Sequence, residues 1–497
     1  MSLGNARASV LAICEETTKG TLVPVTSAVQ FIPLRPGFTL ERAVEELANE
    51  ELRAGIGEVR SVQGKETVTG EFAAYLKHSG VEGQAPETSI LWESALGEKT
   101  VNAVEIATAA GSTTKILNVA DGTQFYVGQA ILIKDATNGF SIRNIDSINV
   151  NALTLNFPVT VAPAASVNLG KAVTYAPLAD GFKGFSAWNY VGNGHSLVVN
   201  SGNETLDVSL EFTPNEFANA TFSFEGSNYR FNPITVGATN KFIDFTDDTG
   251  TFAISVPERV YNNPAELAEA TTTAFAAATV ETVICTYSNE TGKFTISTST
   301  SAVLSLLWDT GANAANSIGT TIGFDVAADD TLATSYVGDN AQDLTPAFIP
   351  SYDPANPLVV KDVEFYIGDD NTMMCRCATS ATITITKATE DVDCICEETG
   401  TKGKIATQRT VTIEAEIILD KYDVSLFKAL KDSSELKVML NLGEKTGGNY
   451  RAGTCFNFFV PNAGVTAFST AGENFVVANV TVKGFVDGNR ECFVNFV

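Results

Sequence analysis

Two segments of this chain resemble each other although they lie far apart in the sequence, and this internal repeat constrains the fold more than any other feature. The segment GKETVTGEFAAYL begins at Gly64 and matches QRTVTIEAEIIL, which begins at Gln408. The same spacing aligns FTLERAVEE, from Phe38, with ATITITKAT, from Ala381. Such a repeat predicts a duplicated structural unit. At a constant separation of 343 residues five aligned pairs are identical: Thr67/Thr410, Val68/Val411, Thr69/Thr412, Glu71/Glu414 and Leu76/Leu419.

A second match marks the end of each copy. EFANATFSFEG, from Glu216, resembles VVANVTVKGF, from Val476, at a separation of 260 residues. The two separations differ by 83 residues, so the first copy should contain additional chain. Residues 104–176 supply most of it and contain their own short strands and turns, which predicts a small β insert.

Hydrophobic periodicity predicts a mainly β protein with a few short helices. Apolar and polar residues alternate, as on half-buried strands, in several segments that turn signals such as Asp121-Gly122 separate. These segments are 68–76, 206–212, 221–224, 383–386, 410–419 and 477–482.

Residues 229–343 form a third kind of module, with 14 acidic and 4 basic residues. Asn263-Pro264 predicts a helix start there, with Asn as the cap and Pro at the first helical position. A hairpin is expected to turn near 289–292, so the module is α+β. We therefore predict these domains: 1–103 with 177–228, the insert 104–176, the module 229–343, and 344–497.

The charge balance argues against tight binding to nucleic acid. The chain has 58 acidic and 32 basic residues, a net charge of −26, whereas binding to phosphates requires Lys and Arg. An acidic surface that only keeps the protein soluble is the alternative interpretation.

The N-terminus lacks the long apolar core of a secretory signal, and no run approaches the roughly 20 apolar residues that span a bilayer. We expect synthesis and assembly in a cytoplasm.

No motif in the sequence indicates a catalytic site, so we predict neither an enzyme nor a bound cofactor or metal. The two histidines, His78 and His195, have no nucleophile motif nearby and are predicted to lie on the surface. Adjacent carboxylates such as Glu45-Glu46 are numerous, but neighbouring residues on a strand point to opposite faces, which favours solvated surface.

Cys375-Arg376-Cys377 and Cys394-Ile395-Cys396 are the sharpest local feature. Residues two apart share one face of a strand, so a hairpin could bring four thiols together. Three interpretations remain open: reduced cysteines packed as small apolar residues, a cross-strand disulfide, or a zinc site.

The order of predicted elements, repeated in one chain, resembles that of siphophage-type tail tube proteins. This order is a leading strand, an acidic loop, a Gly-Lys-x-x-Val-x-Gly strand, a short helix and a closing hairpin. The first copy carries it in FTLERAVEELANEELRAGIGEVRSVQGKETVTGEFAAYL. The second carries it in ATITITKATEDVDCICEETGTKGKIATQRTVTIEAEIIL and YDVSLFKALKDS. The copies differ, because Ile413 replaces Gly70 and only the second has the Cys-x-Cys pairs.

The resemblance implies two tube-type β-sandwich domains with flanking helices, and an α+β decoration module between them. It implies a virion tail protein whose inner strands close a barrel around a DNA channel. The family expectation of six tube domains per ring gives three duplicated chains, with stacked rings forming a tube. Expected partners are further copies, the tape measure, tail tip and terminator proteins, and DNA passing without adhesion. Candidate lumen or ring-stacking acidic loops are Glu45, Glu46, Glu50, Glu51, Asp391, Asp393, Glu397 and Glu398. The alternative is another virion or surface protein, such as an adhesin with carbohydrate-binding modules.

Overall fold

The computed structural model describes most of the chain. The described residues are 5–36, 38–49, 51, 59–192, 194–369, 373–394, 401–420, 423–472, 476–488 and 490–497. Strands contain 53% of the residues and helices 10%, so the predicted mainly β class is confirmed. The chain divides into two compact units, and 13–186, 201–228 and 350–497 form the larger one.

The elements of the first half and of the insert follow one another in chain order. The first are β1 (Val10–Glu15), β2 (Phe31–Ile32), β3 (Thr39–Asn49), β4 (Val59–Tyr75), α1 (Ser89–Leu96) and β5 (Gly97–Asn102). The insert contains β6 (Ile106–Ala107), β7 (Ile116–Asn118), β8 (Ala130–Asp135), β9 (Gly139–Asn149), β10 (Ala152–Leu155) and β11 (Asn168–Leu169). The first half ends with β12 (Ala172–Pro177), β13 (Phe185–Val191), β14 (Ser196–Phe212) and β15 (Asn219–Phe231).

The remaining elements belong to the middle module and the second half. The module contains β16 (Ile234–Val236), β17 (Phe242–Asp247), β18 (Gly250–Ser255), β19 (Arg259–Tyr261), α2 (Pro264–Ala278), β20 (Val283–Ser288), β21 (Lys293–Thr298), β22 (Leu304–Leu306), β23 (Asp330–Ala333) and β24 (Ser335–Val337). The second half contains β25 (Glu364–Gly368), β26 (Met373–Cys375), β27 (Ala378–Asp393), β28 (Thr401–Ile418), α3 (Ser425–Asp432), β29 (Leu436–Thr446), β30 (Asn449–Ala471), β31 (Val477–Gly484) and β32 (Phe493–Phe496). Short 3₁₀ turns occupy Ala6–Ala8, Ala28–Gln30, Gly122–Gln124, Ala314–Asn316 and Gly319–Ile322.

The smaller unit includes residues 229–349 and has its own hydrophobic core. Sheets β18-β17-β22-β23 and β20-β21-β24 contribute to this core together with α2. The predicted helix start is confirmed, because the Asn263 side chain accepts a hydrogen bond from the Glu266 amide at 2.9 Å and Pro264 is the first helical residue. The predicted hairpin is confirmed as β20–β21.

The sequence repeat is a repeat of strand pairing. We call β1–β4, α1 and β13–β15 the first repeat, and β25–β31 with α3 the second repeat. Strand β1 pairs with β2 and β13, as β25 pairs with β26 and β29. Strands β3, β4 and β15 pair side by side, as β27, β28 and β31 do.

The registers of the two long hairpins agree from Thr39 to Leu47 and from Thr382 to Glu390, and they differ by one residue nearer the turn, where Asn49 lies opposite Val59 but Val392 lies opposite Gly403. Thr39 lies opposite Glu71 in the β3–β4 pair, and Thr382 lies opposite Glu414 in the β27–β28 pair. Both members of the second pair are 343 positions after those of the first, which is the separation found in the sequence. Over the matching residues the hairpin of one repeat therefore has the same pairing as the hairpin of the other.

The third strand of each repeat corrects the sequence alignment by two residues. Ser223 lies opposite Glu71, and Thr481 lies opposite Glu414, which is a separation of 258 rather than 260. Because side chains alternate with a period of two, a slip of two residues keeps the same residues facing the core. The sequence pattern alone could not distinguish the two alignments.

The insert forms a sheet in the order β6-β11-β8-β9-β10-β7 with its own apolar core. It packs on the second repeat through buried asparagines. Asn144 and Asn457 exchange hydrogen bonds at 2.8 and 3.0 Å, and Asn457 also donates to Asn441 at 2.7 Å. All three are fully buried, and buried amides are tolerated when they are paired in this way. The domain boundaries stay a prediction.

Candidate assembly interface

The two repeats are joined edge to edge by strand pairing. The end of β14 pairs antiparallel with the start of β27 over six residue pairs, from Asp207 opposite Thr386 to Phe212 opposite Ala381. Strand β14 lies beside β15 in the first repeat, and β27 begins the hairpin of the second repeat. We call this pairing the internal joint. It makes one continuous sheet from strands of both repeats.

The counterpart of β27 in the first repeat is β3, and its outer edge is open. Among the described residues β4 is the one strand that pairs with β3. Ile383 and Ile385 on β27 are only 1% and 2% exposed, whereas the corresponding Leu40 is half-buried and Arg42 is exposed. The same hairpin position is therefore covered in one repeat and open to solvent in the other.

The counterpart of β14 in the second repeat is β30, and the end of this strand is also open. Counted back from the strand end, the stretch that corresponds to Asp207–Phe212 is Thr466–Ala471. Its members pair with β31 on one side, and no strand of the described residues pairs with the other. Val208 and Leu210 are buried in the internal joint, whereas five of the six residues from Thr466 to Ala471 are exposed.

A buried ion pair fixes the internal joint. Lys387 on β27 places its Nζ 2.5 Å from Glu204 on β14 and 2.9 Å from the carbonyl oxygen of Ser94 on α1. The Lys387 side chain is 1% exposed, and burial lowers the pKa of its amine to about 8. Burial opposes ionisation of Glu204, but the charges of Lys387 and Lys19 lower its pKa overall. The pair therefore stays ionised at neutral pH. The β3 residue that corresponds to Lys387 is Val44.

A second group of charges links the two hairpins further along the strands. Lys65 on β4 forms ion pairs with Asp391 and Asp393 on β27. Lys404 on β28 lies 2.5 Å from Glu225 on β15 and 3.3 Å from Asp391. The hydrogen bond to Asp391 raises the pKa of Lys65. Burial opposes ionisation of Asp391, but the contacts with Lys65 and Lys404 lower its pKa overall. These charges favour alignment of the first hairpin with the second.

Four of the predicted acidic residues lie in strands and not in loops. Glu45 and Glu46 are exposed on β3, and Asp391 and Asp393 are on β27, so the prediction that these four lie in loops is wrong. The long hairpins extend further than the sequence pattern indicated. Glu51 is exposed just after β3. Glu50, Glu397 and Glu398 lie outside the described residues, and the lumen or stacking role of the whole set stays a prediction.

The cysteines and histidines depart in part from the sequence interpretation. Cys375 and Cys377 are exposed free thiols, so they are not packed as small apolar residues, and Cys396 lies outside the described residues. Among the described residues no group of three or more His, Cys, Asp or Glu side chains could hold a metal ion. His195 is exposed as predicted, but His78 is only 4% exposed, and its Nδ1 accepts a hydrogen bond from the Gly80 amide at 2.8 Å.

The residues that matter most at the joint were missed at the sequence level. Lys387, Glu204 and Lys65 come from distant parts of the chain, and their pairing depends on which strands meet. The only available signal was Lys387 itself, a charged residue in the otherwise alternating strand ATITITKAT.

None of the helices in the described part of the chain is long and apolar enough for a membrane crossing. A search of protein-family models and of curated proteins with this sequence found no match.

Proposed function

We propose that this chain is the structural subunit of a bacteriophage tail tube, and that it polymerises through the same strand pairing that joins its two repeats. One observation carries the proposal. The internal joint uses a β27-type edge and a β14-type edge, and the chain has one open edge of each kind, on β3 and on Thr466–Ala471 of β30.

Open sheet edges of this kind favour association. An unpaired strand edge exposes backbone donors and acceptors that another strand can pair with. If β30 of one chain pairs with β3 of the next, the contact is heterologous, and such contacts close into a ring when the rotation allows it. Closure would pair both of these open edges. Because each chain supplies two repeats, three chains would give six joints, three internal and three between chains.

The acidic composition supports passage of DNA through such a ring. Glu45 and Glu46 are exposed on β3, beside the proposed contact between chains. Carboxylates do not bind phosphates, so DNA would pass without adhesion. Asp391 contributes less to an acidic lining, since Lys65 and Lys404 already neutralise it.

The middle module supports a role as a decoration on the tube. Its separate core and its excess of 14 acidic over 4 basic residues suit a module facing solvent. On this proposal the tube needs only the two repeats. An adhesin would instead use the module to bind carbohydrate.

Electron microscopy of the purified, concentrated chain tests the proposal. Hollow tubes with regular striations, made of rings of three chains, are expected. Compact monomers at every concentration and salt condition would contradict it. In that case the charged side chains of β3 would serve to prevent its open edge from pairing with another chain. Binding of glycans by the chain without polymerisation would favour the adhesin.

A further inference from the structure

The two repeats differ at the end where β4 and β28 finish, and this difference indicates a second contact surface. In both repeats the pairing of this strand with the third strand ends in the same hydrogen bond. The Leu76 amide donates to the Ala218 carbonyl at 2.8 Å, and the Leu419 amide donates to the Val476 carbonyl at 3.1 Å. Beyond this bond the two repeats differ in whether a further segment of the chain covers the end of the sheet.

In the first repeat an extended segment of the same chain covers this end. We call residues 353–360 the strap. The Leu358 amide donates to the Leu76 carbonyl at 2.9 Å, and the Ala218 amide donates to the Leu358 carbonyl at 2.8 Å. Leu358 is 2% exposed and Val360 is 6% exposed, so the strap fills an apolar site and extends the sheet.

In the second repeat no described residue takes the place of the strap. No described backbone group bonds the Leu419 carbonyl or the Val476 amide. Val476 is 58% exposed, whereas its counterpart Ala218 is fully buried. After β31 the chain turns to form β32 beside β30, so it does not return to this end. The site that the strap fills in one repeat is therefore not covered by any described residue in the other.

The neighbouring helix shows the same asymmetry. In α1 Trp92 is fully buried and packs edge-on against Phe222, with ring centroids 5.1 Å apart. In α3 Phe427 is 52% exposed, and Val424 beside the helix is 64% exposed. Phe427 touches Phe468 of β30 at 5.9 Å between ring centroids, so the helix lies on the same end of the second repeat.

Charges of both signs accompany these apolar residues, because Asp432 at the end of α3 and Glu435 just after it are exposed as well as two lysines. Lys428 and Lys431 on α3 are exposed, and neither forms an ion pair with a described residue. The chain as a whole carries a net charge of −26. Lys428 and Lys431, which no described residue pairs, can thus meet carboxylates of another copy, since each copy has an excess of acidic residues. We call Val424, Phe427, Lys428, Lys431 and Val476 the α3 face.

We infer that the α3 face, which adjoins the β30 edge through the contact of Phe427 with Phe468, is a further contact surface for a second copy of this chain. The second copy covers the site that the strap covers in the first repeat, and its acidic groups approach Lys428 and Lys431. This inference rests on the proposed self-assembly and assigns it a second interface. Assembly through two different surfaces is what a stack of rings requires, since one surface closes the ring and the other joins rings.

Sedimentation velocity of the full-length chain, followed by electron microscopy of the same samples, tests the inference. Val424→Asp and Phe427→Asp should each raise the concentration needed for association at least about tenfold, as loss of a central apolar contact does. Lys428→Glu with Lys431→Glu should do the same at low salt and less at high salt. The matched control is Val29→Asp, because Val29 is 70% exposed elsewhere on the chain and its replacement should have no effect.

The outcomes separate the inference from the proposed function. Association that the α3 variants weaken, without tubes, supports the inference and contradicts the tail tube. Tubes that form equally well from wild type and from both Val424→Asp and Phe427→Asp overturn the inference and leave the tail tube intact. A chain that stays monomeric at every concentration contradicts both. Because Val424 is more exposed than Phe427, at 64% against 52%, Val424→Asp remains informative if Phe427→Asp fails to fold.

Discussion

The two repeats of this chain share strand order and register, and they differ in what covers their edges. In the first repeat the strap covers the end of the hairpin, but the outer edge of β3 is open. In the second repeat β14 covers the outer edge of β27, but the end at Val476 is open. Each repeat thus shows how an edge that is open in the other can be closed. Four predictions test this comparison, in order of decreasing expected effect.

The largest effect is expected at the internal joint, from Lys387→Met. This change leaves Glu204 buried at 4% side-chain exposure with Lys19 as its remaining ion-pair partner among the described residues, and breaking a buried ion pair costs about 3–5 kcal/mol. Urea unfolding monitored by tryptophan fluorescence measures the cost. Lys65→Met is the control, because its ion pairs are partly exposed and pairs of that kind contribute about 0–1 kcal/mol. Equal effects of the two changes would contradict a joint fixed by Lys387.

The second prediction compares the covered end with the open end. Leu358→Ala removes a buried side chain and should lower the free energy of unfolding by about 2–5 kcal/mol. Val476→Ala, at a position that is 58% exposed, should change it by less than about 0.5 kcal/mol in the monomer. Similar losses would mean that the end of the second repeat is already covered within one chain.

The third prediction concerns a pair of facing residues in which the smaller residue lies on β4 in the first repeat but on β31 in the second. Gly70 faces Phe224, and a Cβ atom at Gly70 would lie 2.2 Å from the Phe224 ring, whereas Ile413 faces the smaller Val482. Gly70→Ile should therefore destabilise by about 1–3 kcal/mol through overpacking. Adding Phe224→Val should restore part of this loss, and a double-mutant cycle from thermal unfolding measures the coupling. Additive effects would show that the two strands are not packed against each other as described.

These positions also show what the sequence could and could not predict. The spacing of 343 residues and the Asn263-Pro264 cap are local or repeated patterns, so the duplicated hairpin and α2 were predictable. The register of the third strand was not, because strand periodicity permits a slip of two residues. Burial of His78 and the partners of Lys387 depend on contacts between segments far apart in the chain. The open edges became visible only when the pairing of every described strand was known.

The smallest effect is expected from pH, through His78, which belongs to the turn after β4. Burial lowers the pKa of His78 below its ordinary value of 6.5. In the unfolded chain the imidazole binds a proton as the pH falls below about 6.5, whereas the folded chain keeps it neutral. Stability from this residue is therefore present above that pH and is lost as the pH falls through it. Thermal unfolding of wild type and His78→Gln between pH 5 and pH 8 should converge at the acidic end; a constant difference would contradict a neutral buried imidazole.

Hydrogen exchange of the free and the associated chain, measured by mass spectrometry, tests the central claim most directly. Peptides that contain β14 or β27 serve as internal references, because the joint already protects those edges in one chain. Association should slow exchange in β3 and in Thr466–Ala471 to the rates of those references. If the chain associates while both segments exchange as fast as they do in the monomer, the internal joint is not the template for assembly.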